Sequence, residues 1–323
     1  MRFSFTAVAL ASYIGYAAAH TVTYNVWVNN KEGADGRSIG NGDKYIRSPP
    51  SNAPVKDLTS PSIVCNVNGG KAVDGFAKAA AGDDVQFEWY HDNRHDDIID
   101  GSHKGPIITY IAPYTTGDGT GAIWTKIHEE GYSGGSWAVD KIRNNKGLSE
   151  KFKIPASLKA GKYLIRQEII AHHESDTTYD KDPARGAQFY PACAQFEITG
   201  TGSDVPPQKF DFNTGYTYAD PGIHYNLYSA DPTTYKIPGP EVWTGGASSG
   251  GNDSAPEPAP TSTAAPAVTS APAATSAPAA QPTTLVTVSS APVASSAPVA
   301  APSQTPSTGC KRRRSRKARR SAH

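Results

Sequence analysis

The sequence predicts an all-β protein, an antiparallel β-sandwich with long loops, followed by a disordered C-terminal tail. Three observations carry that prediction. Up to about residue 245, β-branched and aromatic runs recur between clusters of Gly, Pro, Asp and Asn. No stretch shows a helical period of comparable strength. From about residue 247 to 308 the chain is almost wholly Ala, Pro, Ser and Thr without one aromatic residue. Such a composition buries too little apolar area to offset its ordering entropy.

The elements follow in order. Arg2, an apolar run from Phe3 to Ala11 and on past Ile14, and the small pair Ala17 and Ala19 have the form of a secretory signal peptide spanning residues 1–19. Cleavage after Ala19 would make His20 the first residue. An N-terminal histidine offers an α-amine, with a pKa near ~7.7–8.0, beside its own imidazole, and together these form a bidentate metal chelate. Residues 20–245 have the length of one large all-β domain. Within it "DDVQFEWYH" (83–91), "GPIITYIAP" (105–113), "GAIWTKIHE" (121–129), "GKYLIRQEIIAHH" (161–173) and "QFYPACAQFEITG" (188–200) are the expected strands. Residues 246–309 form a linker whose Ser, Thr and Pro content matches O-glycosylated stalks, and Asn252 in "NDS" is an N-glycosylation sequon. Residues 310–323 form a basic tail.

Charge and cysteine usage narrow the function classes. The last thirteen residues hold eight Lys and Arg, more than the formal net charge of +1 for the whole chain, so the body is acidic. With no folded basic motif, nucleic acid is not an expected partner. No second apolar run is long enough to span a bilayer, so the expectation is a soluble, secreted, extracellular monomer with no membrane partner. Of three cysteines, Cys65 in "SIVCN" and Cys193 in "YPACAQ" sit in segments of strand-like pattern and are expected to form a disulfide, leaving Cys310 in the tail.

Several residues are candidates for chemistry. His103 in "GSHKGP" lies in a Gly- and Pro-bounded loop just before a strand, where a stiff scaffold can aim it outward, although an ordinary surface histidine fits as well. Gln188 and Tyr190 are two apart and so share a face of a pleated strand; taken alone, a core tyrosine with a satisfied hydroxyl is the simpler reading. His172 and His173 end a strong strand, where alternation sends them to opposite faces and one of them into a buried polar network. Asp96, Asp97 and Asp100 fall in a loop that reads as solvated.

The stretches "HTV" at His20, "YIRSPPSNAPVKDLTSPSIVCN", "SHKGPIITY", "LIRQEIIAHH", "GAQFYPACAQFEITG" and "DPGIHYNLYSADPTTYKIPGP" are together far more specific than any one motif. In that order the chain resembles the fungal lytic polysaccharide monooxygenases of auxiliary activity family nine, once classed as glycoside hydrolases, from His20 to about Gly245. The resemblance implies an immunoglobulin-like sandwich with a flat face and one copper ion held by a histidine brace. Its ligands would be the amine and ring of His20 and the ring of His103, with Tyr190 near the axial position. His173 and Gln188 would hydrogen-bond the oxygen species. This chain reads "AHH" where the family commonly has "ALH", so His172 replaces an apolar residue. Cys65 and Cys193 match the family's disulfide. Nitrogen ligands in tetragonal geometry suit Cu(II), whereas zinc prefers a tetrahedral site.

The implied activity is oxidative cleavage of a β-1,4-linked polysaccharide, cellulose first, at C1 or C4, with an external electron donor and O2 or H2O2. Tyr235 and Tyr228 would stack on sugar rings, or else pack the terminal loop against the body. A non-catalytic copper- or polysaccharide-binding protein of the same fold is the alternative. A hydrolase would need two carboxylates facing each other across a cleft, roughly 5–10 Å apart.

Overall fold

In the computed structural model the described residues are 20–38 and 44–246. The signal segment, the linker, Asn252, Cys310 and the basic tail lie outside them. Eleven strands occur in the order β1 (Val22–Val28), β2 (Lys31–Glu32), β3 (Ala77–Ala80), β4 (Asp84–Tyr90), β5 (Ile107–Pro113), β6 (Thr125–Glu130), β7 (Tyr132–Ser133), β8 (Ser136–Trp137), β9 (Phe152–Lys153), β10 (Gly161–Ala171) and β11 (Gln188–Thr199). Two short helices interrupt them, α1 (Ser62–Cys65) and α2 (Ala138–Asn144), and a third, α3 (Phe212–Gly215), follows β11. One sheet runs β2-β1-β4-β9 and the other β3-β11-β10-β5-β6, with β7 and β8 as a separate hairpin. All pairings are antiparallel except β11 with β3.

The two sheets face each other across a core that includes Val26, Phe87, Trp89, Ile111, Ile165, Ile169 and Phe196. The outer face of the five-stranded sheet is also buried. Ile108, Tyr110, Leu164, Ile170 and Phe189 pack there against Phe210, Phe212, Tyr216 and Ile223 of the segment that follows β11. Burial on both faces explains why "YLIRQEIIA" is apolar at adjacent positions instead of alternating.

That second core contains a charged cluster. The Arg166 guanidinium, fully buried, donates to the carbonyls of Val64 (2.6 Å) and Ile63 (2.9 Å) in α1 and pairs with Glu168 at 2.7 Å. Tyr216 donates to the other Glu168 oxygen and shares a 2.8 Å hydrogen bond with Tyr110. Phe212 lies 3.7 Å beneath the guanidinium. Cys65 is therefore the last residue of a helix, not part of a strand as its sequence pattern suggests, and it bridges to Cys193 on β11 with Cα atoms 5.3 Å apart. Arg166 supplies donors for α1 carbonyls that a four-residue helix cannot satisfy by itself.

Removing only the cation would leave Glu168 buried and uncompensated. Arg166→Met should therefore destabilise the fold by about 3–5 kcal/mol, and adding Glu168→Leu should recover much of that loss. Equilibrium denaturation of the single and double variants measures both; a single variant as stable as the parent would contradict this account.

Candidate metal centre

The strand register brings the candidate residues to one end of the sandwich. β5 and β10 pair Ile107 with Ile169 and Ile108 with Glu168. Beyond the ladder the same register continues, with the His172 amide donating to the Lys104 carbonyl at 2.9 Å. His103 thus falls opposite His173, and their rings lie 4.0 Å apart. Gly105 permits this approach, since a Cβ there would meet the Ile170 carbonyl oxygen at 1.8 Å. β10 also pairs Ala171 with Gln188 and Ile169 with Tyr190 on β11. From the other sheet, β1 pairs Val22 with Tyr90, and Thr21 Oγ1, next to His20, donates to the Tyr90 carbonyl at 3.0 Å.

The rings of His20, His103 and Tyr190 form a triangle, each centroid 6.1 Å from the other two. Tyr190 is buried, and its hydroxyl donates to Gln188 Oε1 at 2.6 Å. The Gln188 amide in turn donates to Glu174 at 3.0 Å. Burial, with Glu174 adding to it, raises the Tyr190 pKa well above the usual phenol value, so the group stays a neutral phenol. Burial, then His173 and His20, lowers His103 to about 3. Burial likewise lowers His20 and His173. All three rings are therefore neutral near pH 7, with lone pairs free to bind a metal.

His103 gives the test of fit. Its Nδ1 lies 3.2 Å from Ser102 Oγ, while its Nε2 is buried without a hydrogen-bond partner. An orphaned imidazole nitrogen on a ring grouped with a second histidine and a phenol, with its other nitrogen held by a neighbouring hydroxyl, is what a metal ligand requires. His173 Nδ1 is orphaned as well. The residues present fit a metal ion with nitrogen ligands.

A second grouping exists among the described residues, where ligand atoms of His91, Asp96 and Asp97 lie within 4.8 Å of one another. Asp96 does not fit its expected role as a solvated acid. Its two oxygens accept from the backbone amides of His91, Asp92, Asn93 and Ile98 at 2.7–3.1 Å. It is a loop fastener with little capacity left for an ion, and it shapes the loop that leads into His103.

The remaining candidates separate. His172 and His173 do point apart: His172 is fully buried and His173 faces His103. Tyr228 is 73% exposed, and its hydroxyl donates to the His173 carbonyl at 3.2 Å. Tyr235 is half-buried. It packs against Trp137 and Tyr225 at 5.0 and 4.9 Å, with its hydroxyl donating to Gly222. Glu174 and Ser102 were not singled out by sequence. Glu174 sits beside the "HH" pair, but only the fold shows that it reaches Gln188.

Fold and site define a class: a β-sandwich that gathers neutral histidines and a buried phenol at one end. The family model "Auxiliary Activity family 9 (formerly GH61)" matches residues 20–235, and the chain belongs to that family, the lytic polysaccharide monooxygenases. It is 54% identical over 247 residues to AA9 family lytic polysaccharide monooxygenase A of Collariella virescens, covering 75% of this chain and 88% of the relative. The corresponding protein of Phanerochaete carnosa is 45% identical over 245 residues, covering 76% and 89%. Among solved structures, CvAA9A matches with TM-score 0.66 and 55% identity over 69% of this chain and 98% of its own. A cellulose-active polysaccharide monooxygenase from M. thermophila matches with TM-score 0.56 and 28% identity, over 70% and 100%.

Asp96 yields a pH-dependent prediction. Burial pushes its pKa up, but the four amides outweigh burial and hold the carboxyl below its ordinary 3.8. A depressed carboxylate stabilises the fold above that ordinary value and stops doing so as pH falls through the folded-state pKa. Asp96→Ala should cost about 1–3 kcal/mol at pH 6, and the gap should close under acid conditions below pH 3.8. Denaturation curves across that range check it; a gap that stays constant with pH would contradict it.

Proposed function

We propose that the exported chain, cut after Ala19, is a copper-dependent monooxygenase that oxidises β-1,4-linked polysaccharide, cellulose first, at C1 or C4. The observation that carries this reading is the orphaned Nε2 of His103, buried within a triangle of His20, His103 and Tyr190. His20 and His103 would hold the ion. Copper, when bound, supplies one-electron redox chemistry with dioxygen or hydrogen peroxide, given an external electron donor.

The chain's own residues have distinct tasks. Low imidazole pKa values keep protons off the ligand nitrogens, so metal and proton compete little near neutral pH. Tyr190, held as a phenol, would offer a bound ion a weakly donating oxygen rather than a phenolate. The Tyr190–Gln188–Glu174 hydrogen bonds fix the orientation of the Gln188 amide. His173, with Nδ1 unpartnered, can hold or release a proton at that atom, on a ring 4.0 Å from that of His103. Tyr228 offers an exposed ring for a sugar face.

The amine of His20 is the most direct test. In the uncut chain that nitrogen belongs to a peptide bond and is not basic. A form beginning at His20 should bind copper tightly and, with ascorbate, release oxidised oligosaccharides from cellulose. A form retaining Ala19 should do neither. Products without reductant would indicate a hydrolase, and equal copper affinity of the two forms would refute the brace.

Ligand and helper can also be separated. His103→Ala should lose copper while the sandwich stays folded, whereas Gln188→Ala should keep copper and turn over ~10²-fold or more slowly, the usual cost of losing a positioned donor. Copper content, thermal midpoint and oxidised-product rate distinguish them. A Gln188→Ala protein purified without metal, or a His103→Ala protein with full occupancy, would reverse the assignment.

A further inference from the structure

His172 is a buried polar residue that the activity above does not use. It follows Ala171, the last residue of β10, with zero exposure, while its neighbour His173 faces the metal centre. Its ring lies among Trp137, Tyr225 and Tyr235 at 6.3, 5.3 and 5.3 Å. Nδ1 is 2.8 Å from Ser175 Oγ and Nε2 is 2.9 Å from the Tyr235 hydroxyl. Both partners lead to the long segment after β11. Ser175 Oγ reaches the Tyr225 carbonyl at 2.6 Å, and the Tyr235 hydroxyl reaches the Gly222 carbonyl at 2.7 Å. The Tyr225 amide also donates back to the Ser175 carbonyl at 2.9 Å.

Proton counting shows how the imidazole works here. Burial and the neighbouring His173 lower its pKa to about 3, and no carboxylate touches it, so the ring carries a single proton. Ser175 and Tyr235 add one hydroxyl proton each. Three protons thus serve five contacts, the fifth a 3.2 Å approach of Ser175 Oγ to the His172 carbonyl. With the proton on Nδ1, the ring donates to Ser175, Ser175 donates to Tyr225, and Tyr235 donates to Nε2, leaving Gly222 without that donor. With the proton on Nε2, the ring donates to Tyr235, Tyr235 donates to Gly222, and Ser175 donates to Nδ1, leaving Tyr225 without its hydroxyl donor. Either tautomer bonds both ring nitrogens and grips both ends of the stretch 222–235. An apolar side chain of similar volume could fill the space but hold neither end.

That stretch carries Tyr228, the one strongly exposed large aromatic among the described residues. Its hydroxyl donates to the carbonyl of His173, the residue next to His172. Gly222 adds a close approach between the limbs of the loop, since a Cβ there would meet the Lys236 carbonyl oxygen at 2.2 Å. The loop is therefore indexed to the same few residues that bear the metal-facing histidine.

We propose that His172 is a positioning residue: through Ser175 and Tyr235 it fixes the height and tilt of the Tyr228 ring relative to the metal centre, and so sets how tightly a sugar chain is held there. The inference rests on the reading of this face as the polysaccharide surface. It makes His172 a determinant of substrate affinity without contact with substrate or metal.

The test uses the processed, copper-loaded chain and measures binding of cellohexaose without reductant, beside copper affinity and the Cu(II) electron paramagnetic resonance spectrum. His172→Leu, close in volume, should leave copper affinity and spectrum unchanged and weaken cellohexaose about five- to tenfold, the scale of one lost hydrogen bond. Tyr228→Ala should weaken binding at least as much, and adding His172→Leu to it should cost nothing more. His172→Gln, which restores a donor and an acceptor, should recover part of the loss. Should His172→Leu fail to fold, Tyr235→Phe removes only the hydroxyl and should weaken binding about threefold or more. Unchanged binding in the variants, or full additivity with Tyr228→Ala, overturns the inference. A parent chain that binds copper but no cellohexaose overturns the reading of the face and this inference with it.

Discussion

The antiparallel register of β5, β10 and β11 is the constraint on which the site depends. Three strands of one sheet place His103, His173, Gln188 and Tyr190 within a few ångströms although they come from positions up to 87 residues apart. A slip of one residue in either pairing would turn each of these side chains to the opposite face. The register is protected because both faces of the sheet are buried, so a slip would expose apolar residues on each side and drive Arg166 and Glu168 into the wrong layer. Hydrogen bonds across the first core add to this: Trp89 on β4 donates to Gln167 on β10, and Gln167 donates to Thr109 on β5.

This arrangement divides the labour between core and rim. The imidazoles are neutral because the scaffold withdraws them from water, and burial is the largest cause of lowered basicity at His20, His103 and His173 alike. The polar groups around them are satisfied in chains, from Tyr190 to Gln188 to Glu174, while His103 Nε2 and His173 Nδ1 are left open. Unpaired buried nitrogens also occur singly elsewhere, as at His128 Nδ1, but only His103 and His173 bring two of them onto rings 4.0 Å apart among the described residues, and such a pair marks where something else is meant to bind.

Much of the fold was legible in the sequence, and the reasons for the gaps are physical. The strands around 84–90, 107–113, 161–171 and 188–199 are long and rich in β-branched and aromatic residues, so their pattern survives without context. β1 was missed although "VTYNVWV" matches β4 and β5 in length and is rich in β-branched and aromatic residues, and β3 because "AKAA" has no strand propensity and depends on its parallel partner β11. α1 was mistaken for strand because "SIVC" is apolar; its turn is held by Arg166, a hundred residues away in sequence. At the site, spacing showed that Gln188 and Tyr190 share a face, and the family resemblance named His20 and His103. Glu174, and the occupation of Tyr235 by His172, depend on where two loops meet, which no local pattern encodes.

The second core has a consequence for biosynthesis. Phe210, Phe212, Tyr216 and Ile223, which cover the outer face of β5, β10 and β11, all come after the last strand. A growing chain therefore holds all five strands of the sheet while it still lacks half of the cover for one side of it, since Val55, Leu58, Ile63 and Val64 of that cover come earlier. Until those residues emerge, that side is a sticky apolar plane with a buried-type ion pair at its centre. The sandwich is consequently finished from the C-terminal end of the domain, whose last residues close the second core.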